Sequence, residues 1–122
     1  MTRNILIVED QAILALDLEA LLSAAGYKVV GIAATTSQAL RIARSERVDA
    51  ATMDIELALG DNGVDTSIAL RALGVRSLFV SGSLDDNVRA LADRAEPLGF
   101  LSKPIDQEAL TNALHVFFEH GA

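Results

Sequence analysis

The sequence predicts a doubly wound α/β fold, on three observations. Short apolar bursts recur at Asn4–Val8, Lys28–Ala33, Ala50–Met53, Ser77–Val80 and Gly99–Leu101. They do not alternate polar with apolar residues, so each is expected to be a strand buried on both faces. Stretches of helical period separate them, and strands alternating with helices imply right-handed βαβ units around a parallel sheet. The chain has 122 residues, 51% of them apolar, which fits one domain over residues 1–122 with one sizeable core.

In chain order, the first helix is expected over about Gln11–Ala25 and holds two apolar stripes. Leu14, Leu18, Leu21, Leu22 and Ala25 form one, wide enough to face a core. Ile13, Leu16, Ala20 and Ala24 form the other. That second stripe reads either as a helix more buried than usual or as an exposed docking face. Gly26 suits the helix end. Thr36 or Ser37 is expected to cap the second helix, which runs to about Arg47. The third spans about Val64–Leu73 and stops at Gly74. The fourth, about Leu84–Ala95, aligns Leu84, Val88, Leu91, Ala92 and Ala95, with Pro97 beyond it. The fifth, about Asp106–His120, follows Pro104 and carries Leu110, Ala113, Leu114 and Phe117 on one side. His115 and His120 are expected to face solvent and are given no role.

Composition narrows the function. Ten basic against 17 acidic residues give a net charge of −7. With no Lys/Arg run visible, nucleic acid is not an expected partner. The absence of cysteine excludes disulfides, thiol chemistry and sulfur-ligated metals. No apolar run approaches the roughly 20 residues of a membrane span. The first strand begins too early for a signal peptide. A soluble, cytoplasmic protein is expected.

The chemistry sits at the carboxyl ends of the strands, where open α/β sheets bind their ligands. Glu9 and Asp10 follow the first strand. Asp54 ends the third. Ser81 and Gly82 follow the fourth, and Lys103-Pro104 the fifth. Taken singly, each has a plain structural reading: acids at a helix start, a turn former, a turn, a lysine before a helix-starting proline. In a parallel sheet all lie on one edge. Three converging carboxylates repel one another unless a cation joins them. Oxygen ligands without His or Cys favour a hard ion such as Mg²⁺. Such a site suits phosphoryl transfer, with Asp54 able to form an acyl phosphate. Lys103 can offset phosphoryl charge there, and Ser81 can donate a hydrogen bond.

In these motifs the chain resembles the receiver domain of bacterial response regulators, along essentially its whole length. The matching residues are Glu9-Asp10, Asp54, Gly63, Ser81-Gly82 and Lys103-Pro104. The resemblance implies a single-domain, CheY-like, flavodoxin-like (βα)5 sheet in the order 2-1-3-4-5. It implies phosphorylation of Asp54 from a phosphohistidine on a sensor histidine kinase or a histidine phosphotransfer protein. Mg²⁺ would be placed by Glu9, Asp10, Asp54 and the backbone carbonyl of Glu56. Lys103 would pair with the phosphoryl group across a cis peptide to Pro104. Ser81 and Phe100 would form the switch that reshapes the surface read by a downstream target. The sequence departs from the family pattern in the loop Ile55–Asn62. That loop lacks the proline many receivers carry four residues after the acceptor, and it is about one residue longer than the common spacing. Glu56 stands where the family tunes phosphoryl lifetime. Phe79-Val80-Ser81-Gly82 partly resembles the Phe-Ala-Thr-Gly-Tyr signature of one subfamily, with Ser83 in place of the tyrosine.

The leading expectation is a phosphoacceptor signalling module rather than an enzyme, beyond self-phosphorylation and self-dephosphorylation. Partner docking is expected over Ile13, Leu16 and Ala20. Only Gly121-Ala122 follow the last helix, which suits a stand-alone module or a part of a longer chain. Dimerisation on phosphorylation is left open. The alternative is a phosphorylation-independent adaptor of the same fold, which a missing acid, hydroxyl or lysine would favour. An aspartyl-phosphate hydrolase would place its acid pair after the first strand. A flavin carrier would want a hydroxyl-rich loop there, where Glu9-Asp10 would repel a phosphate.

Overall fold

The computed structural model describes residues 2–82 and 84–120, without the side chain of His120. Its strands are β1 (Asn4–Val8), β2 (Lys28–Ala33), β3 (Ala50–Met53), β4 (Ser77–Ser81) and β5 (Gly99–Ser102). Its helices are α1 (Ala12–Ala24), α2 (Thr36–Ser45), α3 (Gly63–Ala72), α4 (Asp86–Ala92) and α5 (Gln107–His120). The strands form one parallel sheet in the order β2-β1-β3-β4-β5. The expected doubly wound architecture and strand order are both present.

Side chains alternate across each strand, so the sheet feeds two cores. Leu6, Val8, Ala51, Met53 and Phe79 pack under α2, α3 and α4 with Ala39, Leu70 and Ala92. Ile5, Ile7, Ala50, Leu78 and Val80 pack under α1 and α5 with Leu18, Leu22, Leu110 and Leu114. Each fully buried aliphatic side chain contributes roughly 1.5–3 kcal/mol over leaving it exposed. The three central strands are therefore closed on both sides, which fixes their carboxyl ends in place. Burial on both faces does not extend to the edge strands: β2 and β5 are mostly half-buried. An edge strand has a neighbour on one side only, and β2 also bulges between its pairings to Ile5 and Leu6.

Helix ends differ from expectation in informative ways. Thr35, not Thr36 or Ser37, caps α2 by accepting from the Gln38 amide. Thr35 has the extended backbone a cap needs, and Thr36 is already helical. The fourth helix is shorter than expected. Its α-helical part starts after the Asp85 cap, and residues Asp93–Ala95 form a 3-10 turn that ends on left-handed Glu96. Leu91 lies inside α4 but departs from the expected stripe and is exposed. Gly26 and Gly74, at φ 93° and 86°, close α1 and α3 as the sequence suggested. Along α1 the core stripe is buried at Leu18 and Leu22, while Ile13 is 76% and Leu16 57% exposed. The second stripe is thus exposed and not buried in the core. Exposed His115 tilts against Tyr27 on the surface of α5. The expectations for Ser83 and for the His120 side chain lie outside the described residues. No described helix is long and apolar enough to cross a membrane.

Candidate functional site

The carboxyl ends of β1, β3, β4 and β5 meet in an open pocket of about 250 Å³. Asp54 forms its floor. The Asp54 amide donates to the carbonyl of Val8 on β1, which fixes the residue at the strand tip. Its Oδ1 accepts from the Ile55 amide at 2.8 Å, and its Oδ2 lies 3.3 Å from the Lys103 ammonium. The residue is 7% exposed, so access is through the pocket mouth. Asp10, Glu56, Ser81 and Lys103 share the wall, with Gln11 and Leu14 on the α1 side.

Glu9 and Lys103 are the electrostatic hinge. Lys103 Nζ donates to Glu9 Oε1 at 2.8 Å, and Glu9 Oε2 accepts from the Gln11 amide at 3.1 Å. Burial pushes the Glu9 carboxyl up, and the Asp54 charge adds to this; the bonds from Lys103 and Gln11 oppose it. Burial works to lower the Lys103 ammonium, but its bond to Glu9 and the charge of Asp54 outweigh this and raise it. One lysine is thus shared by two buried acids. Its backbone is held as well: the Lys103 amide donates to the Ser81 carbonyl, and the Lys103–Pro104 peptide is cis, as the resemblance implied.

Glu9, Asp10 and Asp54 each bring a carboxylate oxygen within 4.8 Å of the others. No His or Cys joins them, and the set is buried, exposed, buried in that order. One lysine against three acids leaves the pocket negative. An all-oxygen set in an acidic, solvent-accessible hollow fits a hard divalent cation better than a thiophilic metal.

Phe100 is half-buried. Its ring stacks on buried Phe79, with centroids 5.4 Å apart and planes 16° apart, and the Arg89 guanidinium lies 5.0 Å from its centre. Ser81 is buried at the end of β4 and lines the pocket. Of the expected docking residues, Ala20 borders a second hollow of about 360 Å³ with Leu14, Leu21 and Ile105. Leu14 belongs to both hollows. Ile13 and Leu16 stand exposed on the same helix.

The loop after Asp54 holds what sequence reasoning missed. Glu56 and Asn62 form an isolated antiparallel bridge, and residues Ala58–Gly60 a 3-10 turn with left-handed Leu59. Gly63 is required by contact: an alanine Cβ there would lie 1.8 Å from the Asp54 carbonyl oxygen. Asn62 caps α3 through the amides of Val64 and Asp65. Asp61 reaches across to α2, where its carboxylate accepts from the Thr36 amide at 2.7 Å. The Asp61-Asn62-Gly63 run signals a cap locally. No local pattern signals a partner 25 residues away.

The sequence matches the response regulator receiver domain family over residues 5–115. It is 32% identical over 126 residues to the phyllosphere-induced regulator PhyR of Methylorubrum extorquens AM1, covering 100% of this chain and 46% of PhyR. The chain spans about half the length of the curated relatives it matches. The signal receiver domain of a modulated diguanylate cyclase from Desulfovibrio desulfuricans G20 superposes with a TM-score of 0.88 at 32% identity, covering 95% of this chain and 93% of that one. A response regulator protein from Burkholderia pseudomallei, crystallised with a phosphorylated aspartic acid, a calcium ion and citrate, superposes with a TM-score of 0.81 at 27% identity. That match covers 96% of this chain and 72% of the other.

Proposed function

Because the chain belongs to the response regulator receiver domain family, we propose that it is a phosphoacceptor of a two-component phosphorelay, with Asp54 as the residue that takes the phosphoryl group. One observation carries this: a buried carboxylate at a central strand tip shares a single lysine with a second buried acid, inside a pocket open to solvent. A carboxylate oxygen of Asp54 attacks the phosphorus of a phosphohistidine. The P–O bond forms as the P–N bond breaks, and the imidazole leaves with the bonding pair. Lys103 offsets charge on the incoming group, and Ser81 donates a hydrogen bond to it. Glu9, Asp10, Asp54 and the Glu56 carbonyl would hold Mg²⁺, which supplies charge neutralisation on the phosphoryl oxygens. The Burkholderia regulator, with its phosphorylated aspartate and calcium ion, supports an acidic pocket of this use.

The 122 residues act as one receiver domain. The donor docks over Ile13, Leu16 and Ala20, whose exposed apolar stripe runs alongside the pocket and into the adjoining hollow. Phosphorylation of Asp54 draws Ser81 inward, and Phe100 turns to follow it, which alters the surface of α4, β5 and α5 for a downstream target. A phosphorylation-independent adaptor would have no need of the acids, hydroxyl and lysine that all stand here.

Incubation with acetyl phosphate and Mg²⁺, followed by intact-mass measurement, tests the proposal. A single phosphoryl adduct is expected, lost in Asp54→Asn and on omission of Mg²⁺. No adduct on the wild-type chain with this donor or a phosphohistidine donor overturns it.

A further inference from the structure

We propose that Asp61 is a positioning residue of the pocket: by tying the loop after Asp54 to the N-terminus of α2, it sets the Glu56 carbonyl toward the cation site. The inference rests on the phosphoacceptor reading and concerns only how this chain holds its loop.

The loop is built like a short strand at its start. Ile55 and Leu57 are buried and Glu56 between them is exposed, an alternation that puts Glu56 on the pocket side. Two bonds close the loop: Gly63 N donates to the Ile55 carbonyl at 2.6 Å, and Leu57 N to the Asp61 carbonyl at 3.1 Å. Both come from residues flanking the Glu56–Asn62 pair. In such a non-hydrogen-bonded pair the residue's own N–H and C=O point away from the partner strand. The Glu56 carbonyl is thereby turned out of the ladder, on a residue that lines the pocket.

That orientation depends on where the return arm, residues 60–62, is held. Asp61 anchors it three ways. Its carbonyl accepts from Leu57, its amide donates to Ala58 at 3.2 Å, and its carboxylate accepts from Thr36 at 2.7 Å. Thr36 is the first residue of α2, so Asp61 also places a negative charge at the positive end of that helix. A second tie runs in parallel. The Thr66 hydroxyl donates to the Asn62 carbonyl at 2.9 Å, which leaves its oxygen to accept from Thr36 Oγ1 at 2.7 Å. Thr66 is fully buried, so the link is shielded from water. A loop that lacks the stiffening proline is thus held by side chains from α2 and α3 instead.

The bond can be cut from either side without touching the pocket. Asp61→Ala removes the acceptor, and Asp61→Asn keeps an acceptor oxygen. Thr36→Pro removes the donor and the hydroxyl. Proline is tolerated at a first helical position, and Thr35 already has the extended backbone a preceding residue requires. Calorimetric titration of Mg²⁺ into the metal-free proteins reads the effect, well below the unfolding temperature of each. Partners that orient metal ligands cost about 10- to 100-fold in affinity when removed. We expect Asp61→Ala and Thr36→Pro to weaken Mg²⁺ binding about tenfold. Asp61→Asn should stay close to wild type, and the double variant should be no weaker than either single one. In adduct formation from acetyl phosphate, the Mg²⁺ needed for half-maximal rate should rise, while the rate at saturating Mg²⁺ recovers. Loss of overall stability alone would shift the unfolding midpoint and leave that concentration unchanged. If Asp61→Ala does not fold, Thr36→Pro decides when read against Thr36→Val, which keeps the amide and loses only the hydroxyl tie to Thr66. Wild-type Mg²⁺ affinity in the folded variants overturns the inference and leaves the phosphoacceptor reading standing. A wild-type chain that neither binds Mg²⁺ nor forms an adduct overturns that reading itself.

Discussion

Substituting Gly63 by alanine should be among the most damaging single-methyl changes in this chain. Gly63 is the first residue of α3 and is not one of the left-handed glycines. On helix propensity alone, alanine there would gain up to about 1 kcal/mol. The surroundings reverse that sign. The added Cβ would meet the Asp54 carbonyl oxygen at 1.8 Å, its carbon at 2.7 Å and Ile55 Cα at 2.9 Å. All three are backbone atoms, so no side chain can swing aside. Ordinary contact starts near 3.4 Å, so α3 and the Asp54 tip must separate by about 1.6 Å. That movement also breaks the 2.6 Å bond from Gly63 N to Ile55 O. Overpacking and one lost hydrogen bond together amount to roughly 3–5 kcal/mol. With a urea dependence of about 2 kcal/mol per molar, the unfolding midpoint should fall by about 2 M. Urea titration followed by circular dichroism measures it. A shift below about 0.5 M would refute the claim that Asp54 and the start of α3 are in rigid backbone contact.

Other perturbations separate the electrostatic and docking parts of the account. Burial raises the Glu9 carboxyl above its ordinary 4.5, so the folded protein keeps a proton there after the unfolded chain has lost it. Metal-free stability should therefore fall as pH rises through that interval, and Glu9→Gln should flatten this part of the slope; an unchanged slope contradicts the assignment. Lys103 is raised above 10.5, so its stabilisation should hold below that pH and vanish as pH rises through its folded value. Lys103→Met leaves Glu9 and Asp54 without their cation, so added Mg²⁺ should raise its melting temperature more than that of wild type. An equal rise would show that the lysine does not offset those acids. Leu16 is 57% exposed, so Leu16→Glu should change stability by no more than about 0.5 kcal/mol. It should leave acetyl phosphate labelling intact yet slow transfer from a phosphohistidine donor at least about tenfold, the factor for 1.4 kcal/mol of lost contact. Unchanged transfer would remove the α1 docking face.

The sequence was most legible where period and position coincide. The apolar bursts marked all five strands because a strand packed under helices is mostly apolar on both faces, although Thr52 and Ser77 are buried within the central ones. The acids, Ser81 and Lys103 are legible as strand-end residues, and the fold sets Asp10, Asp54, Ser81 and Lys103 around one pocket with Glu9 buried against Lys103. What stayed hidden depends on tertiary neighbours. The second stripe of α1 has the same residues whether covered or exposed, and only the placement of the other helices left Ile13 and Leu16 in solvent. Thr35, Thr36 and Ser37 are all plausible caps by chemistry, and backbone geometry chose Thr35. Leu91 fits a helical stripe by spacing, yet within α4 it is Ala92 that is buried and Leu91 that faces solvent. The Asp61–Thr36 bond joins the loop after β3 to the start of α2, neighbours that only the sheet order brings together.

The central claim is that the phosphoryl group resides on Asp54 and nowhere else. It is tested most directly by borohydride reduction of the chain after incubation with acetyl phosphate and Mg²⁺, followed by peptide sequencing by mass spectrometry. Reduction converts an aspartyl phosphate to homoserine and so marks the acceptor. Homoserine at position 54 alone is the predicted result. Homoserine at position 10, phosphate retained on Ser81, or no modified residue at all would contradict it.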